Sequence, residues 1–274
     1  MTSPEANSAE QVPARATVVT APRPVADRSI PQSSRSWLFI VMGLIALSAV
    51  LIGFQGTYVR PMQSGTFKAP AIVHWHGAFA MGWVLLFAVQ PWLIRYNAVP
   101  VHRWLGILGV ALAIGVAVTM VPAQFFASTR DAMSGGGNVA RAMILGAISS
   151  AAQFLLLVLG GALYARHGTI HKRLMLLATI VVIWPAWFRW RHFLPWVPDP
   201  DVWLGVVLAD SLIVVAWLHD RFTRGHIQTV LLNVGVLLIL LHLAEVSIIG
   251  HPLWVRTGVR VYDTLAPWLE PLVR

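Results

Sequence analysis

Cysteine is absent from the 274 residues. That excludes disulfides, iron–sulfur clusters, thiolate-ligated haem and Cys-based zinc sites. Charge is nearly as scarce. Only 11% of residues are charged, and Asp and Glu together number 11 against 20 Lys and Arg. A soluble domain covers its surface with roughly 25% charged residues. With less than half of that, and a mean hydropathy of +0.69, most of this chain needs lipid for a solvent. The excess of base gives a pI near 11.2. The Lys and Arg residues flank apolar runs instead of gathering into a patch, which is how membrane topology uses them. That speaks against a nucleic-acid partner.

Long apolar runs, thirteen Trp and ten His are what the chain does have. Seven segments reach or approach the ~20 residues that cross a bilayer core. They are 37–54, the stretch between Lys68 and Arg95, 104–126, 142–165, 171–193, 202–219 and 227–250. The expected fold is therefore all-α, an integral membrane bundle of about seven transmembrane helices spanning 35–251. Trp37, Trp92, Trp104, Trp203 and Trp217 fall at segment ends, as in an interfacial aromatic belt. Residues 1–34, rich in Ala, Ser, Pro and Arg and without periodicity, are expected to form a disordered tail. Residues 252–274 mix Trp254, Val261, Leu265 and Trp268 with Arg256, Arg260 and Asp263, the pattern of an interfacial helix.

Seven crossings place the two termini on opposite sides. Here side A is the one on which the first span begins, and side B is the other. Eleven of the twenty basic residues fall to side A, a bias that makes a cytoplasmic N-terminus and a multi-pass inner-membrane location the expectation. A repeat is also visible. Leu93-Ile94-Arg95 leads through a short loop to His102-Arg103-Trp104-Leu105, and Leu163-Tyr164-Ala165-Arg166 leads to His171-Lys172-Arg173-Leu174. Two related hairpins are expected.

The histidines divide between the sides. His102 and His171 open helices on side A, each followed by base (Arg103; Lys172 and Arg173). Two imidazoles on different helices can hold a haem iron between them, and neighbouring bases suit haem propionates. Anchoring bases at a membrane surface would look the same. His167-x-x-x-His171 has metal-ligand spacing, but Gly168 lies between the two.

Side B has more buried charge. His74 and His76 open the second span with their rings about 200° apart on a helix. Arg189 and His192 lie near the end of the fifth span. Asp210 interrupts the sixth, and His242 and Glu245, three apart, share a face of the seventh. Ionisable groups inside a bilayer pair with one another or line a wet cavity. The sequence suggests a buried polar cluster of Arg189, His192, Asp210 and Glu245, with Arg189–Asp210 as its first pair.

His74-Trp75-His76-Gly77, Leu86-Phe87-Ala88-Val89-Gln90, His102-Arg103-Trp104-Leu105-Gly106, His171-Lys172-Arg173-Leu174-Met175 and Arg189 together resemble a broad group of uncharacterised bacterial multi-pass membrane proteins. The resemblance covers about residues 70–190. More distantly, the layout is similar to four-helix di-haem b-type membrane cytochromes. That likeness implies haem b as cofactor, with His74 or His76, His102, His171 and His242 as axial ligands, and a redox partner or small molecule beside the lipid bilayer.

Four readings stay open on the residues alone: a membrane cytochrome, a transporter or proton relay built on the charged cluster, a zinc hydrolase using Asp210, His242 and Glu245, and a non-catalytic protein whose polar network only packs. Whether the chain is an enzyme is not decided by its sequence, nor are catalytic residues or a metal site assigned.

Overall fold

The computed structural model describes residues 37–274. The expected tail, 1–34, lies outside the described residues. No strand occurs among them, and the fold is all-α. Eight long helices follow in order: α1 Trp37–Phe54, α2 Ala71–Arg95, α3 Val99–Asp131, α4 Ile144–Leu163, α5 Gly168–Phe188, α6 Ala209–Arg224, α7 Thr229–Ile248 and α8 Pro252–Val273. Seven of the described helical stretches are long and apolar enough to cross a membrane. In hydrocarbon every backbone N–H and C=O must be satisfied within its own segment, and a helix does that without neighbours.

Helices α2, α3, α4 and α5 form a ring. The α2–α3 and α4–α5 hairpins pack along their lengths, α3 packs on α4, and α2 closes back onto α5. In that ring α3 and α5 are diagonal, and little of one packs on the other. Helix α1 covers the α2/α5 edge, and α6 and α7 pack on the outer flank of α5. Helix α5 is thus the hub. Over half of its apolar window, 56%, is buried, against 22% for α2, α3 and α7.

Lipid is as apolar as a leucine side chain, so close packing rather than water exclusion holds such helices together, and small residues mark the contacts. Helix α1 shows this. A Cβ at Gly53 would sit 2.3 Å from the Ala186 carbonyl oxygen of α5, and one at Gly43 would sit 2.8 Å from Ala88 Cα of α2. Ala46 and Ala49 lie between them, both buried.

Helix α3 is longer than the sequence pattern suggests. Its 33 residues rise about 50 Å, well beyond a hydrocarbon core of about 30 Å. It stops on side B at a glycine run in which Gly135 (φ 103°) and Gly137 (φ 54°) take backbone conformations closed to most residues. Helix α8 covers this overhang. Tyr262 stacks on Phe125 with ring centroids 4.5 Å apart and hydrogen-bonds Thr129. Arg141, from the short helix Gly137–Ala142, lies over the Tyr262 ring and pairs with Asp263. Helix α8 thus docks on protein at the side B end through Gly258, Tyr262 and Leu269, and leaves Leu253, Trp268 and Leu272 exposed.

Candidate functional site

On side A, His102 lies in the first turn of α3 and His171 in the first turn of α5. The diagonal placement of these helices brings the two rings together across the interior. Their centroids are 6.1 Å apart with an interplanar angle of 83°. His171 Nδ1 donates to the Gly161 carbonyl at 2.8 Å. A carbonyl can only accept, so the proton is on Nδ1 and the lone pair of the neutral ring is on Nε2. A Cβ at Gly161 would meet the end of the flexible Met175 side chain, with Leu174 Cβ and the His171 carbonyl at ordinary van der Waals distance, 3.4 and 3.6 Å. His102 is held from its backbone, with Gln90 Nε2 donating to its carbonyl at 3.1 Å. His102 Nδ1 and Gln90 Oε1 are both buried and have no hydrogen-bond partner.

The bases beside these rings do not act alike. Arg103 is exposed. Lys172 lies over the Phe39 ring, 5.1 Å from its centroid. Arg173, expected among the propionate partners, is 2% exposed and is spent on Asp220 of α6. Its Nε donates to Oδ2 at 2.9 Å, Nη2 bonds both carboxylate oxygens, and Nη1 caps the Thr169 carbonyl at 2.8 Å. The Asp220 carboxylate also accepts from the Gln228 backbone N–H at 3.3 Å and lies 3.5 Å from Arg224. This clasp joins α5, α6 and the α6–α7 turn. Its sequence signal was ambiguous, because Asp220 lies in a run of charged residues at a helix end that reads as solvated.

On side B the cluster differs from the expected one. Asp210 pairs with His242, not with Arg189: His242 Nδ1 donates to both carboxylate oxygens at 3.0 Å, and both residues are buried. Arg189 instead lies over the Phe54 ring, 4.3 Å from its centroid, and donates to the Pro185 carbonyl at 2.8 Å. The cause is rotation. Arg189 ends α5 on the α1 side, while Asp210 opens α6 toward α7. His192, in the 3-10 turn Arg189–His192, is exposed and stands outside the cluster. Glu245 is half-buried and accepts from Ser149 of α4, which Gln153 Nε2 also meets at 2.9 Å.

His74 and His76 face different neighbours. Tyr58 Oη and His74 Nδ1 are 2.7 Å apart in a cluster with Phe67. The Thr119 hydroxyl donates to the Gly115 carbonyl at 2.6 Å, so its oxygen accepts from His76 Nδ1, 3.1 Å away. Helices α2 and α7 are not among the closely packed helix pairs. No second histidine pair like His102–His171 is in ring contact among the described residues. No three His, Asp or Glu side chains converge there as a metal-ligand set.

Compared with protein families, with curated proteins and with solved structures, the chain matches none of them. The fold and the site by themselves define a multi-pass α-helical membrane protein with a diagonal histidine pair at one end of a four-helix ring and a buried acid–imidazole pair toward the other end.

Proposed function

We propose that this is a b-type haem protein of the inner membrane, with its N-terminus in the cytoplasm and its iron held by His102 and His171. One observation carries the reading: two imidazoles on diagonal helices stand 6.1 Å apart, centre to centre. With metal–nitrogen bonds of about 2.0–2.1 Å, two rings sharing one ion stand roughly 6–6.5 Å apart. The His171 tautomer supports it too, since a ligating histidine gives its other ring N–H to a carbonyl or carboxylate. Haem supplies one-electron chemistry when bound. The chain's part is to orient the two rings, keep water from them with the α2–α5 ring, and present Arg103 at the surface where a redox partner or small molecule approaches.

The test is an absorption spectrum of detergent-purified protein from haem-replete cells, oxidised and then dithionite-reduced. A sharp Soret band with split visible bands on reduction supports the reading. A colourless protein sinks it.

A second reading rests on a separate observation, the buried Asp210–His242 pair with Glu245 one turn nearer side B on the same face of α7. Such a pair can hold a proton inside the bilayer, and Glu245 can pass it from the side B surface. Proteoliposomes carrying a trapped pH dye test this. Proton uptake abolished by Asp210→Asn supports a relay, and identical dye traces from both proteins leave the pair a packing device.

A further inference from the structure

We infer that two copies of this chain pair through the outward face of α7, with Asn233 of each copy hydrogen-bonding Asn233 of the other.

Helix α7 stands at the rim of the bundle. It packs on α5, on α6 and on the Asp201–Leu208 segment that leads into α6. Only 22% of its apolar window is buried. Leu231, Gly235, Leu238 and His242 make its buried face. At about 100° per residue, the opposite face carries Asn233, Leu237, Leu240, Ala244 and Ser247, all exposed. The centre of this row lies roughly 170° around the helix from the buried face. Its members are spaced four, three, four and three apart, the repeat with which one helix meets another in a left-handed pair.

Most of the row suits lipid. Leu237 and Leu240 are 55% and 59% exposed, and the Ser247 hydroxyl donates to the Leu243 carbonyl at 2.7 Å. Asn233 is different. Its side-chain amide has no hydrogen-bond partner among the described residues. The 20 residues of α7 rise about 30 Å, the thickness of a hydrocarbon core. Asn233 follows Thr229, the first residue of the helix, by four positions, which puts it about 6 Å inside the side A end. An amide there turns two N–H donors and a carbonyl acceptor toward lipid, which has nothing to bond them.

A second copy supplies what lipid does not. Copies of one chain insert the same way round, so a twofold axis between them runs along the membrane normal, and their α7 helices lie parallel at equal depth. Asn233 then faces Asn233. The amide is self-complementary: the N–H of one donates to the carbonyl oxygen of the other, and the reverse. Below that bond Leu237 and Leu240 fill the seam, and Ala244 lets the backbones approach. A lone Asn in such a seam fixes its register and favours a dimer. The pairing needs no haem, since His242 and the rest of the buried face stay inside each copy.

The chain has no cysteine, so each cysteine introduced reports by itself. Leu240→Cys, Ala244→Cys and, as control, Leu156→Cys on α4 (70% exposed in the wild type) are oxidised in native membranes and in phospholipid vesicles made with the purified full chain. A disulfide-linked dimer should form from the two α7 variants in both settings and not from the control. Absence of that band, or equal bands from all three, overturns the inference. Crosslinks to other proteins in native membranes, with none between copies in vesicles, overturn it as well. Energy transfer between N-terminally labelled copies diluted in vesicles then tests the amide. Asn233→Leu should weaken the dimer about 3–30-fold, the usual range for a hydrogen bond between membrane helices, while Asn233→Gln keeps part of the affinity. An Asn233→Leu dimer as tight as wild type overturns the role of Asn233. If that variant fails to fold, the cysteine variants, which keep Asn233, decide the face by themselves.

Discussion

Arg173 of α5 and Asp220 of α6 form a multiply bonded ion pair in which each side chain is 2% exposed. Removing one partner strands the other as a buried charge, which costs about 3–5 kcal/mol. Asp220→Asn should therefore lose most of that amount in an SDS or thermal unfolding titration. The double variant Arg173→Met, Asp220→Leu should recover much of the loss, since apolar groups of similar volume often replace such pairs at no net cost. A double variant no more stable than Asp220→Asn would mean that the clasp contributes more than charge compensation.

The histidines should separate by spectrum. His102→Ala and His171→Ala should each lose the same chromophore, because one iron needs both rings. His74→Ala and His76→Ala should keep it, because their rings face Tyr58 and Thr119 on side B. Pyridine haemochrome content per chain for all four variants is the measurement. Loss of colour from His76→Ala with His102→Ala unaffected would move the site to the other end of the bundle.

The Asp210–His242 pair makes a stability prediction independent of any transport. His242→Ala leaves the Asp210 carboxylate buried without its partner and should cost about 3–5 kcal/mol. Asp210→Asn keeps an oxygen that accepts from Nδ1 and removes the charge, so its cost should stay nearer the ~1 kcal/mol of an ordinary hydrogen bond. Unfolding midpoints of the two variants, compared in one detergent, check the order.

Glycines test the packing. Gly53→Ala drives a methyl toward the Ala186 carbonyl, 2.3 Å away, and should cost about 1–3 kcal/mol through displacement of α1 from α5. Gly146→Ala, in α4, meets nothing within 4 Å and should be neutral or stabilise by up to about 1 kcal/mol through helix propensity. Equal effects at the two sites would contradict the close approach of α1 and α5.

By itself the sequence determined the all-α fold class and the order of seven helices long and apolar enough to cross a membrane. Those properties are one-dimensional: hydropathy is counted along the chain, and position along a helix is residue number times a fixed rise. It also placed His102 and His171 in the first turns of helices in two similar hairpins, as the structure has them. Only the tertiary structure decided which groups meet. Depth says nothing of rotation about the helix axis or of which helices are neighbours, and in lipid those are settled by small-residue contacts such as Gly43 on Ala88 and Gly53 on Ala186. Those contacts turn Arg189 to Phe54 and leave Asp210 for His242. The packing of α6 on the outer flank of α5 joins Arg173 to Asp220, and the diagonal order of the ring sets His102 against His171.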